Sequence, residues 1–161
     1  MFERLLVPLD GSRFASRALR YATEVAKRFS AEIILVQVVK PATPVVDGGA
    51  LAGVSPPAAG IAVQVALEED KRNAARARRY LSGKVRAIRS RHVESSYRVL
   101  IGNAASSIIE CSEKEHIDLV VMTSHGKSRL KRALMGSVAD AVIRESGKPV
   151  LVLRPQTGSK K

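Results

Sequence analysis

The sequence predicts an α/β fold: an open five-stranded parallel sheet with helices on both faces. Three observations lead there. Short runs such as RLLVPL, EIILVQVV and VLVL recur along the chain and are apolar at successive positions, as expected of strands covered on both sides. Amphipathic segments separate them, so strand and helix alternate. With 161 residues, 45% of them hydrophobic, the chain has the length and material for one core.

Arg4 to Leu9 reads as the first strand, closed by Asp10-Gly11-Ser12. Ser12 can cap a helix over 13–29, where Phe14, Ala15, Ala18, Leu19, Ala22, Val25 and Ala26 recur at helical spacing. Glu32 to Val39 is the second strand. Residues 40–62 carry four prolines and four glycines without periodicity, which predicts a flexible loop or lid at about 42–60. A long helix is predicted over 63–90, acidic at its start and basic at its end, as the helix dipole favours, with a Glu68–Arg72 pair. Gly83 is a place where it could bend.

Val93 to Ile101 is more polar and is placed near a sheet edge; Gly102-Asn103 leads into a helix ending near Lys114. Ile117 to Met122 is apolar apart from Asp118 and is placed centrally. A basic connector follows, then a helix with Leu134, Val138, Ala141 and Val142 on one face. Gly147-Lys148-Pro149 stops it, Val150 to Leu153 is the fifth strand, and residues 155–161 form a disordered basic tail beyond a single domain over 1–154.

Composition narrows the function classes. A single cysteine, Cys111, excludes an internal disulfide and a cysteine-rich metal site, and suits a reducing compartment. No stretch reads as a signal peptide or a membrane span, so a cytoplasmic protein is expected, with no membrane partner. Aromatic residues total only 4%, which gives an aliphatic core. The net charge is +12, much of it between Arg76 and Arg91. A basic surface attracts phosphorylated ligands or nucleic acid.

The chemistry concentrates at two strand ends. After the fourth strand come Thr123-Ser124-His125-Gly126, then nine residues, then Gly136-Ser137-Val138 at a helix start. Glycines and hydroxyl residues let backbone N–H groups approach an anion, and a helix N-terminus adds unpaired donors and the positive end of its dipole. After the first strand stands Asp10, able to accept a hydrogen bond from a base amino group. In open α/β sheets such strand ends form the ligand crevice where strand order reverses.

These residues resemble the universal stress protein family, in its single-domain form, from Leu5 to Arg154. The resemblance is carried by LLVPLDGS and by VVMTSHG, GSVADAV and KPVLVLR. Nucleotide-binding members have Gly, two residues, Gly, nine residues, then Gly and Ser or Thr; Gly126, Gly136 and Ser137 match, and Thr123 replaces the first glycine. A β-branched residue takes a positive φ poorly, so a left-handed backbone there would alter the pocket. The resemblance implies a Rossmann-like sheet of the adenine nucleotide alpha hydrolase-like kind, in strand order 3-2-1-4-5, and a stress-response or regulatory homodimer joined through the last strand. It implies ATP or AMP as ligand, with or without Mg2+. It places Pro8, Leu9, Asp10, Val38, Met122, Thr123, His125, Gly126, Gly136, Ser137 and Val138 at the nucleotide. Lys127, Arg129 and Arg132 are candidate phosphate contacts from the connector.

Other chemistries fare worse. Gly126-Lys127-Ser128 copies the end of a Walker A motif, but the required first glycine is Val121 inside a strand. His92 and His116 have no metal-ligand spacing and His125 no nucleophile beside it, so no metal or catalytic group is assigned. Slow ATP hydrolysis at most is expected. The rival function is an interaction protein without nucleotide, whose basic helix meets nucleic acid or an acidic partner. Tyr80 is the only aromatic there, and the helix dipole already accounts for much of the basic end, so nucleic acid is the less favoured partner.

Overall fold

A computed structural model describes residues 2–42, 56–124 and 135–154, with only the backbone of 56–59. The five strands are β1 (Arg4–Pro8), β2 (Glu32–Val39), β3 (Ser95–Ile101), β4 (Leu119–Thr123) and β5 (Val150–Leu153). They form one parallel sheet in the order β3-β2-β1-β4-β5. The helices are α1 (Ala18–Phe29), α2 (Pro56–Arg89), α3 (Ala104–Lys114) and α4 (Ser137–Glu145).

The unbroken apolar strands divide their side chains between two cores. Leu5, Val7, Ile33, Leu35 and Val121 pack on the α1 and α2 side with Ala18, Ala22, Leu81, Val85 and Ile88. Leu6, Ile34, Val36, Val120 and Met122 pack on the other side with Ile108 and Cys111 of α3 and Ala139 and Val142 of α4. Complete burial of side chains such as Leu5, Leu6 and Ile33 stabilises the fold by about 1.5–3 kcal/mol each. Asp118 fastens β4 to β1 at the opposite end from the candidate site: its Oδ2 accepts the amides of Glu3 and Arg4 at 2.8 and 2.9 Å. Those two bonds hold its carboxyl below the usual aspartate range.

Several local expectations change. The helix predicted from residue 13 begins as a 3-10 turn over Ala15–Arg17, and Ser12 Oγ accepts the Ala15 amide at 3.0 Å. The long helix starts at Pro56, well before residue 63, so it takes in the last part of the expected 42–60 loop. Proline fits a first helical turn, where its missing N–H has no partner to lose. The remainder of that loop, 43–55, and the tail 155–161 lie outside the described residues. Gly83 does not interrupt α2. Glu68 makes its close ion pair with Lys71 at 2.9 Å, and Arg72 acts on it only as a weaker, more distant charge.

Each helix is followed by a left-handed residue: Ser30 (φ 55°), His92 (φ 58°), His116 (φ 50°) and Gly147 (φ 61°). This ends a helix while returning its chain toward the next strand. His92 and His116 therefore serve in the backbone turns that end α2 and α3.

Candidate functional site

The strand order reverses between β1 and β4, and a cleft of about 300 Å³ opens at their carboxyl ends on the α3 and α4 side. That volume lies at the lower end of the range for small-molecule sites. Nine of the residues picked out in the sequence line it: Pro8, Leu9, Asp10, Val38, Met122, Thr123, Gly136, Ser137 and Val138. His125, Gly126, Lys127, Arg129 and Arg132 lie outside the described residues. The cleft also takes in Ala15, Val36, Ala104, Ile108, Ser124 and Ala139. Val36 was legible in principle, because it shares a strand face with Val38. Ala104 and Ile108 arrive from α3, whose approach no local pattern announces.

Asp10 follows β1, which is anchored beside β2 as the Leu9 amide donates to Val36 O at 2.8 Å. Its Oδ1 accepts the Ser12 amide at 2.9 Å, closing a tight turn around Gly11. Gly11 has φ +83°, a conformation suited to glycine. The other carboxylate oxygen, Oδ2, is buried and has no hydrogen-bond partner among the described residues. A buried, unmatched carboxylate oxygen is costly, so it invites a donor.

Across the cleft, the Ser124 amide donates to Leu153 O at 2.9 Å, and Ser124 O accepts the Gly136 amide at 2.7 Å. This pair seats the start of α4 against the end of β4. Gly136 is the residue before the helix and offers no capping side chain. The first intrahelical bond runs from the Asp140 amide to Gly136 O at 3.0 Å. The amides of Ser137, Val138 and Ala139 consequently have no acceptor among the described residues, and as the donors of a helix N-terminus they lie beside the cleft. Val36, Val38, Ile108 and Met122 supply an apolar surface between the acceptor at one end and these donors at the other.

Thr123 is buried in β4, opposite Leu153 of β5, and its φ is not positive. The backbone at the first motif position is extended strand, so threonine sits there without left-handed strain. Cys111 is buried in α3. Burial, then the Glu115 carboxylate, push its thiol above the usual range, which is the state of a core residue and not of a nucleophile.

A model described as the universal stress protein family matches residues 1–154. The chain belongs to the universal stress protein family. Universal stress protein MJ0531 of Methanocaldococcus jannaschii is 30% identical over 155 residues, covering 96% of this chain and 83% of that one. The solved structure of hypothetical protein MJ0577 superposes with a TM-score of 0.81 at 24% identity, covering 98% of this chain and 99% of that one. Two other members were solved with ligands. One, from Archaeoglobus fulgidus, is in complex with dAMP (TM-score 0.57, 19% identity, covering 94% and 97%). The other is a universal stress protein in complex with cAMP (TM-score 0.57, 21% identity, covering 95% and 97%). At these identities the structural likeness is one of fold.

Proposed function

We propose that this universal stress protein binds an adenine nucleotide, ATP or AMP, in the cleft between β1 and β4, as a cytoplasmic stress-response or regulatory homodimer. The observation that carries the reading is the buried Oδ2 of Asp10, which has no hydrogen-bond partner among the described residues and belongs to a residue lining the cleft, whose far end holds the start of α4. Adenine offers an exocyclic amino group, a donor that suits this oxygen. Its flat apolar ring suits Val36, Val38, Ile108 and Met122. The amides of Ser137, Val138 and Ala139 suit phosphate, with the Gly126 loop and the basic connector as further contacts. Relatives of the same fold bound to dAMP and cAMP support an adenine nucleotide.

The homodimer reading draws on β5. It is an edge strand with Val150, Leu151, Val152 and Leu153 half-buried and Ile143 exposed nearby in the chain, a surface that edge pairing with a second copy would cover. Among the described residues no three His, Cys, Asp or Glu side chains converge on a metal-sized site, and the reading assigns Mg2+ no protein ligand. No described helix is long and apolar enough to cross a membrane.

Asp10→Asn tests the reading. Either orientation of the amide sets an N–H against a donor, the Ser12 amide or the adenine amino group. Affinity for ATP or AMP is expected to fall about 10- to 100-fold, the value of a charge-assisted bond. Discrimination against guanine, which has a carbonyl where adenine has its amino group, should shrink at the same time. Unaltered affinity and selectivity in calorimetric titration would overturn it.

A further inference from the structure

Among the described residues, charge is divided by the sheet. Segments 13–28 and 71–91 together carry fourteen basic residues and one acidic residue, Glu24. They are far apart in the sequence, but both belong to the layer made by α1 and α2, and the Ser16 and Tyr80 hydroxyls meet across it at 3.0 Å. The α3 and α4 layer is different: Glu110, Glu113, Glu115, Asp140 and Glu145 outnumber the lysines and arginines of 104–145 that are described.

Within α2 the arginines are ordered. Arg72, Arg76, Arg79 and Arg86 are exposed and follow a four-, three- and seven-residue spacing, which puts them in one line down the helix. Ala74, Ala77, Leu81, Val85 and Ile88 are buried against the sheet, on the opposite side of the helix. The arginine line therefore points directly outward and runs about 21 Å at the helical rise of 1.5 Å per residue. None of the four is in the close ion pairs of the described residues, which are Lys71–Glu68, Arg98–Glu115, Lys114–Glu110 and Arg144–Asp140; Arg72 acts on Glu68 only as a more distant charge. Arg17 and Arg20 of the first helical segment are exposed on the same layer.

We propose that this α1 and α2 face docks duplex DNA through its phosphate backbone. Several observations select that partner. Guanidinium groups dominate over lysines, and their planar forks match phosphate oxygens. A membrane surface would want apolar side chains inserted between the charges, yet the exposed Ile61, Val65 and Leu67 lie upstream of the arginine line. Single strands need free aromatic platforms, whereas Tyr80 is half-buried and bonded to Ser16. A continuous helix with cations along its exposed crest and both flanks suits a B-form groove, which is wide enough for a helix; the A-form major groove is not. The face lies across the sheet from the nucleotide cleft, so this inference does not depend on the nucleotide reading.

The test is fluorescence anisotropy with a mixed-sequence DNA duplex two helical turns long, on the full chain, as salt is varied. The wild type is expected to bind with affinity falling linearly in log–log salt. The variant Arg72→Gln/Arg76→Gln/Arg79→Gln/Arg86→Gln should lose at least tenfold at about 0.15 M salt. It should flatten the slope by up to about 0.9 for each phosphate contact removed. Arg17→Gln/Arg20→Gln should weaken binding in the same sense. Lys114→Gln/Arg144→Gln, on the other layer, should bind as the wild type does. All substitutions are at exposed positions, and thermal unfolding checks that each variant folds. No salt-dependent DNA binding overturns the proposal. So does equal loss in the opposite-layer variant, or stronger binding to an RNA duplex or to phosphatidylserine vesicles.

Discussion

Asp10, a residue of the cleft lining, divides its carboxylate: Oδ1 fixes the Gly11 turn through the Ser12 amide, and Oδ2 is buried without a partner among the described residues. An acidic residue in a strand-end Asp-Gly-Ser turn was legible as an acceptor, but the division of labour between its two oxygens needed coordinates. Thr123 was harder to read, because a motif position does not reveal whether β4 has ended. It has not, since pairing with Leu153 holds it in the strand. Asp118 was read only as the polar start of a strand. Its partners, the amides of Glu3 and Arg4, lie more than a hundred residues away in sequence, beyond the reach of local patterns. The folded state lowers the Asp118 pKa below its ordinary value of 3.8. A lowered pKa adds stability that is fully present above the unfolded value and is lost as pH falls through the folded one. Asp118→Asn is thus expected to melt below the wild type near neutral pH, with the difference closing in acid beneath the carboxylate range. A gap that stays constant through that range in thermal unfolding would refute the assignment.

At the scale of elements, apolar periodicity located all five strands and four helices, and β5 to the residue. Boundaries moved where a local signal was weighted wrongly. The Pro and Gly density after residue 55 reads as loop, yet proline is tolerated in a first helical turn. Gly60 is exposed, and a Cβ there would touch nothing, so it costs α2 only about 1 kcal/mol relative to alanine. Helix ends show the converse: Ser30, His92 and His116 take the left-handed conformation that glycine takes at Gly147. Left-handed backbone costs a side-chain-bearing residue roughly 1 kcal/mol. Ser30→Gly, His92→Gly and His116→Gly should each raise stability by about 0.5–1 kcal/mol, offset in part by the freer unfolded chain. Urea unfolding measures this; a fall in midpoint at all three would contradict the account of the termini.

The strand order and the position of the crevice followed from the resemblance together with the reversal rule for open sheets, and the sheet has that order. The division of charge did not follow, because α1 and α2 become one basic layer only once both are folded onto the same side of the sheet. The cleft joins residues from both halves of the chain, Asp10 and Val38 from one and Met122 and Gly136–Ala139 from the other, so its function is a property of the whole fold. The most direct test is calorimetric titration of the purified, nucleotide-stripped chain with ATP and AMP, alongside mass analysis of the small molecules released on stripping. The account predicts saturable binding of at least one of them in the micromolar range or tighter. Gly136→Leu, which adds a side chain to the cleft lining at the start of α4, should abolish it. No heat of binding for either nucleotide, with none recovered on stripping, would contradict the central claim.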